Sequence, residues 1–352
     1  MITKQEYISA AERGAASIGH LPVSAAVLRY LSDQLKKGDP PWWEKTLKAW
    51  ERRRSGAWGE SWGLFLACLH YEALSDAKNP LVPYFPSCGG TAEADPAPAL
   101  SKFLSAPPAS FFEHLRTGEL RVYYPMMSGW WTGPANLFFG ERELQYYLVE
   151  VNTGAGLSLI GDLIAASQYG DFDSGLVAAR VGLDPQPLLM EDINQRRWLT
   201  ACVNPDNGPG IVALDRAIEA LRKAQHDDPN FVQLVNCSVE KGPKFIAKNM
   251  PHNDQEVGLL VFNLMTTAEM TPTQYQSYLA DMLQLLRPWG DRALWVEGEY
   301  VPGEVNSMVM QQRAHRLEEG LLKTVEFGRY DFISNKLTFN EKEARRVLIV
   351  ES

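Results

Sequence analysis

Apolar positions recur at intervals of three and four from residue 3 to residue 75, a spacing that predicts helices over residues 5–18, 22–37, 41–54 and 58–73. Pro22 and Pro41 suit a first helical turn, where a missing N–H leaves no hydrogen bond unmade, and Gly19, Gly38 and Gly56 suit the ends. Between residues 79 and 108 prolines, glycines and alanines break the period, which predicts a long irregular connection with one short helix at residues 100–104. Another short helix is expected at residues 110–116.

Beyond Gln145 the pattern changes to short apolar runs alternating with helical stretches. Strands are expected from Gln145 and at residues 176–183, 231–235, 257–263, 293–297, 323–329 and 345–350. Helices are expected at residues 191–203, 211–225, near Phe245, and at residues 271–286 and 305–321. Such alternation implies an α/β fold with a mostly parallel sheet covered by helices. The expected division is a helical region with its Pro/Gly-rich connection over 1–120, an aromatic lid or hairpin over 121–144, and a Rossmann-like domain over 145–352.

The first βα unit is the most informative segment: Leu148-Val149-Glu150-Val151-Asn152-Thr153-Gly154-Ala155-Gly156-Leu157. A buried strand ends in an acid and enters a glycine-rich turn, as nucleotide-binding sheets do. Gly154 and Gly156 permit a tight turn and a close approach to a ligand, and a helix starting near Gly156 would aim free N–H groups into the same space. Glu150 suits ligand hydroxyls and would repel a pyrophosphate. The spacing resembles the Glu-x-Gly-x-Gly-x-Gly turn of S-adenosylmethionine methyltransferases, with Asn152 in place of the first glycine. Together with seven expected strands, it points to a seven-stranded methyltransferase-type sheet. An ordinary strand–turn–helix without a ligand is the plain alternative.

In that reading Glu150, Asn152, Gly154, Gly156, Asp184 and Asn236 bind the cofactor, S-adenosylmethionine. Asp184 would hold the ribose hydroxyls, although it lies 28 residues after Gly156, more than the roughly 20 usual for a dinucleotide turn; Asp171 or Asp173 could serve instead, and a turn-capping role fits Asp184 equally. Asn236 has the donor and acceptor an adenine edge requires. Asn263, at the end of the fourth strand, is the expected polar group beside the transferred methyl, with a turn or N-cap role as its alternative. Glu297 and Glu299 are expected as a base or as substrate ligands, or as an exposed loop pair.

The run from Tyr123 to Gly140 is rich in aromatics and glycine. Tyr123, Tyr124, Trp130 and Trp131 are expected to line the substrate pocket near the glycine turn, since adenine and sulfonium groups both favour aromatic neighbours. The alternative is that the tryptophans glue the helical part to the sheet or face a second subunit. The helical region is expected to pack across the ligand crevice and build much of that pocket.

Composition narrows the partners. Hydrophobic content of 45% with 22% charged residues belongs to an ordinary globular chain. Net charge of −9 disfavours a broad nucleic-acid or anionic-membrane footprint, so no nucleic-acid or membrane partner is expected and a small-molecule substrate is. Lys45, Lys48, Arg52, Arg53 and Arg54 read as a solvated helix face. No apolar run approaches the ~20 residues a membrane span needs, and the N-terminus lacks a signal-peptide core; a cytoplasmic location is expected. Cys68, Cys88, Cys202 and Cys237 are scattered without a Cys-x-x-Cys pair, and Cys68 and His70 lack further ligands at zinc spacing, so neither a disulfide framework nor a metal site is expected. His252 reads as a loop residue, and there is no Gly-x-Ser-x-Gly elbow or phosphate loop.

Several separated stretches, in order, resemble a bacterial family known as domain of unknown function 2332. They are residues 68–74, 80–90, 148–157, 182–188 and 197–206, within a span of roughly 60 to 300. Where the family usually reads Val-Glu-Val-Gly-Ala-Ser-Ala-Gly-Leu-Asn, this chain has its glycine turn. The chain resembles a divergent member: a polar cluster before that strand is replaced by the aromatic segment, Gly-Asp-Ala by Asn236-Cys237-Ser238, and Trp-Pro-Asp by Asn204-Pro205-Asp206. The family implies no established reaction. The leading expectation is a methyltransferase acting on a small or medium-sized substrate. The alternatives are a non-catalytic Rossmann-like binding or scaffold protein and an NAD(P)-dependent enzyme.

Overall fold

A computed structural model describes residues 3–51, 61–92, 95–121, 123, 129–164, 172–252, 254, 256–267, 270–300, 309–331 and 336–349. The chain forms two units, one comprising residues 1–123 and 190–215, the other residues 124–189 and 216–352.

The first unit is helical. Its helices include Lys4–Ser17, Pro22–Lys37, Pro41–Trp50, Ser61–Ser75, Ala97–Ser105, Ala109–Thr117 and Ile193–Ala201, close to the spans the periodicity predicts. Thr3 opens the first with a capping box: its hydroxyl accepts from the Glu6 N–H, and the Glu6 carboxylate accepts from the Thr3 N–H. Aromatic rings fill the core, with Tyr7 against Trp43 and Trp50, and Phe65 edge-on to Trp42 and Phe111.

Residues 190–215 join this unit although sequence places them inside the sheet domain. The Asp206 carboxylate accepts from the backbone N–H groups of Val23 and Ser24 and from the Ser24 hydroxyl, capping a helix whose own N-cap position supplies no side chain. Trp198 stacks on His114 and donates its indole N–H to the Glu119 carbonyl at 2.9 Å. Where the sequence reading runs the sheet domain unbroken from residue 145, the helical unit is discontinuous in sequence.

The second unit holds one eight-stranded sheet in the order β3-β2-β1-β4-β5-β6-β7-β8. The strands are β1 Gln145–Val151, β2 Val177–Asp184, β3 Gln233–Asn236, β4 Val257–Leu264, β5 Ala293–Tyr300, β6 Val309–Glu318, β7 Leu321–Asp331 and β8 Lys336–Phe339. Strands β1 to β5 pair in parallel, and β5 to β8 in antiparallel fashion. The seven-stranded expectation is thus corrected to a parallel core of five, ordered 3-2-1-4-5, extended by an antiparallel meander.

Two elements in the meander region reverse the sequence reading. Residues 305–321, expected as a helix, contain strand β6; residues 345–350, expected as a strand, overlap the helix Glu341–Leu348. The hairpin between β6 and β7 turns at Glu319 and Gly320, both with positive φ (51° and 77°), the geometry of a type I′ turn. Asn340 caps the final helix by accepting from the Glu343 N–H.

Side chains alternate between the two faces of the sheet. The in-register row Val151, Asn263, Glu297 and Arg313 points to one face, and the row Glu150, Phe262, Val296 and Ala314 to the other. The first face is covered by the helix Pro272–Leu286, through Tyr278, Met282 and Leu285. On the other face Trp130 and Trp131 pack against Phe262, and Phe139 stacks on Tyr146 at 4.2 Å. The tryptophans lead into the helix Thr132–Phe138 where a hairpin was an option.

Candidate ligand site at the switch point

After β1 the chain moves outward to β2 and β3 and then returns to β4 on the other side of β1. Ligands of open α/β sheets bind at such reversals, beyond the strands' C-terminal ends. Here the reversal carries the glycine turn. Asn152, Gly154 and Gly156 all adopt positive φ, at 69°, 59° and 74°. Asn tolerates this region better than other residues bearing a Cβ, so Asn152 keeps the conformation a glycine would take. A Cβ on Gly154 would meet nothing within 4 Å, whereas one on Gly156 would press on Leu234 and Val232 at 3.1 and 3.2 Å. Gly154 therefore faces open space, and Gly156 serves internal packing.

Four contacts hold the turn. The Asn152 and Thr153 N–H groups donate to the Leu183 carbonyl, Gly154 N–H donates to Asp184 Oδ2 at 2.9 Å, and Leu188 N–H donates to the Gly154 carbonyl at 3.0 Å. Asp184 Oδ1 accepts from the Gln186 N–H at 2.7 Å. Asp184 thus ties the rim together, with each carboxylate oxygen already accepting a backbone proton. It pairs in register with Asn236, whose amide donates to the Pro185 carbonyl at 2.6 Å. Asp173 instead accepts from the Gly175 N–H ahead of β2, at the opposite end of that strand; Asp171 lies outside the described residues.

Glu150 is buried and accepts the Thr153 hydroxyl proton at 2.6 Å. Burial pushes its pKa up to about 8, against the opposing pull of hydrogen bonds from Thr153 and Ser158. Burial thus favours the neutral carboxyl, which weakens the repulsion of a pyrophosphate that its sequence implies. Thr153 is the partner that sequence reasoning missed; its place three residues after Glu150, across a turn, was the available signal.

The two tryptophans are fully buried. Trp131 donates its indole N–H to the Ser158 carbonyl at 2.8 Å and stacks on Phe262, while Trp130 stacks on Phe327. They brace the segment after the glycine turn against the sheet and do not form an open lid. Tyr123 belongs to the helical unit, and Tyr124 lies outside the described residues.

Asn263 and Glu297 lie on the opposite face from Glu150. Asn263 donates to Glu299 Oε1 and accepts from the Trp295 indole, both at 2.8 Å, so its amide is committed to the interior. Glu297 and Glu299 are not an exposed loop pair: both sit within β5 and are buried. Glu297 Oε1 meets Arg313 at 2.8 Å and His315 at 3.0 Å from the neighbouring strand. Glu299 Oε1 also accepts from the Thr266 and Thr267 N–H groups, fastening the turn after β4; burial pushes its pKa up to about 7. The basic partners became visible only when β6 proved to be a strand, because Arg313 and His315 are then on one face, two residues apart.

Together these features define an α/β protein with helices preceding a parallel-cored mixed sheet and a glycine turn at its switch point. A family model described as an uncharacterized protein conserved in bacteria (DUF2332) matches residues 5–177 and 166–337, and the chain belongs to that family. No curated protein matches the chain. Among the described residues, no helix is long and apolar enough to cross a membrane.

Proposed function

We propose that the protein binds S-adenosylmethionine over the turn at residues 152–156 and transfers its methyl group to a small or medium-sized molecule. The observation that carries this reading is the run of left-handed residues at Asn152, Gly154 and Gly156, at the switch point of a 3-2-1-4-5 parallel core. With φ at 69° Asn152 adopts a conformation open to glycine, so the substitution does not by itself count against a cofactor. Asp184 and Asn236, neighbours on the β2 and β3 ends, have polar atoms suited to ribose and adenine. Methyl transfer to an already nucleophilic atom breaks one S–C bond and forms one new bond, and positioning alone accelerates it. Substrate groups are to be sought beyond Asn263, whose amide meets Glu299 and Trp295, and Glu297, whose Oε1 meets Arg313 and His315 in the interior.

A second reading, a sheet that binds or scaffolds without catalysis, is favoured by one observation: Asp184 and Glu150 already hold the turn itself. A thermal-shift series with S-adenosylmethionine, S-adenosylhomocysteine, NAD and NADP separates the readings. A rise in Tm with the two sulfur nucleotides, lost in Gly154→Val, supports the proposal. A response only to NAD or NADP replaces it with a redox function, and no response to any of the four leaves the scaffold.

A further inference from the structure

The helical unit contains a second arrangement with chemical capacity. His70, on the helix Ser61–Ser75, is fully buried. Its Nδ1 lies 2.9 Å from the Val203 carbonyl and 3.2 Å from the Ala201 carbonyl. A carbonyl oxygen only accepts, so Nδ1 must carry the proton, and in the neutral ring Nε2 is then a bare acceptor. Ser87 Oγ sits 2.7 Å from Nε2 and donates to it. Ser87 comes from the short 3-10 turn Pro86–Cys88 and is half-buried, whereas His70 is wholly buried. The edge of Phe85 packs against the imidazole and the Ser87 N–H is anchored on the Pro205 carbonyl, so neither partner drifts.

We propose that Ser87 is an activated nucleophile with His70 as its general base, acting on activated carboxylic esters. Ser87 Oγ forms a bond to the acyl carbon while its proton passes to His70 Nε2. The bond from that carbon to the leaving oxygen then breaks, and His70 returns the proton to the departing alcohol, leaving acyl-Ser87. Water repeats the sequence and releases the acid. The backbone N–H groups of residues 87–90 are all committed to carbonyls, so this segment supplies no preformed oxyanion donors, and the reaction is expected to be slow and confined to good leaving groups. Burial holds the imidazole pKa down to about 4, which keeps the ring unprotonated in the neutral range but makes it a weak base, a second reason for slow turnover.

The test is labelling of the full-length protein with a fluorophosphonate, in which Oγ–P forms as P–F breaks, read by intact mass and peptide mapping. A single adduct on Ser87 is expected, absent in Ser87→Ala and slowed by on the order of 100-fold or more in His70→Asn, with circular dichroism establishing that both variants fold. The rate should be flat from pH 6 to 9. No adduct on the native protein, an adduct that persists in Ser87→Ala, or a rate rising tenfold per pH unit across that range, as for hydroxide-driven attack, overturns the proposal.

Discussion

Asp184 Oδ2 accepts the Gly154 N–H at 2.9 Å, joining the end of one strand to the turn that leaves its neighbour. Because Oδ1 accepts from Gln186 in the same way, one buried carboxylate sets the shape of the whole rim. Asp184→Ala leaves two backbone donors without that acceptor and is expected to cost about 1–3 kcal/mol for each donor that water cannot reach. Urea unfolding measures the loss; a change within error would show that water replaces the carboxylate.

Two of the buried glutamates, Glu150 and Glu299, give stability a pH dependence with a definite sign. Burial raises the pKa values of Glu150 and Glu299 to about 8 and about 7, from the ordinary 4.5. Between those limits the folded state holds protons that the unfolded chain has released, so their contribution is complete below about pH 4.5 and is lost as pH rises through 7 to 8. Chemical denaturation at pH 5 and pH 8.5 should show a fall on the order of a few kcal/mol, and Glu150→Gln should flatten it. An unchanged slope in that variant would mean that Glu150 is charged in the folded protein.

The left-handed residues of the turn should respond differently to a methyl group. Gly154→Ala places its Cβ in open space and meets only the backbone cost of about 1–2 kcal/mol. Gly156→Ala adds contacts at 3.1 and 3.2 Å with Leu234 and Val232, for roughly 1–3 kcal/mol more. Asn152→Gly should be nearly neutral. Denaturation midpoints rank the three, and a cheaper Gly156→Ala than Gly154→Ala would contradict the packing described.

Ion pairs should divide by burial. Arg180 and Asp162 are both inaccessible and joined at 2.8 Å, and Arg180 also donates to the Leu159 carbonyl. Asp162→Ala strands that guanidinium and is expected to cost about 3–5 kcal/mol. Glu141→Ala, which breaks an exposed pair with Arg345, should cost about 1 kcal/mol or less. Similar losses from the two variants, measured by the same unfolding assay, would refute the distinction.

Sequence by itself determined the elements whose signal is local. Helix periods with Pro22 and Pro41 at first turns, the helix over residues 271–286, the apolar strands of the parallel core and the glycine turn all follow from backbone sterics and side-chain spacing. In the candidate site, Glu150 near the end of β1 and Gly154 and Gly156 in the turn that follows stand together because they are close in the chain. Tertiary structure decided the rest. Strand β6 is rich in helix-favouring Gln, Arg, Ala and Leu, yet two flanking strands satisfy its backbone hydrogen bonds and override that preference. Asn263 on β4 and Glu297 on β5 lie in one row with Val151, but register turns that row to the face opposite Glu150, and a period of two cannot reveal register before pairing is known. Residues 190–215 left the sheet domain because Asp206 and Trp198 found their partners among helices more than a hundred residues away or on the segments that follow them. Those partners are selected by burial and hydrogen bonding between distant parts of the chain, which exist only once it has folded.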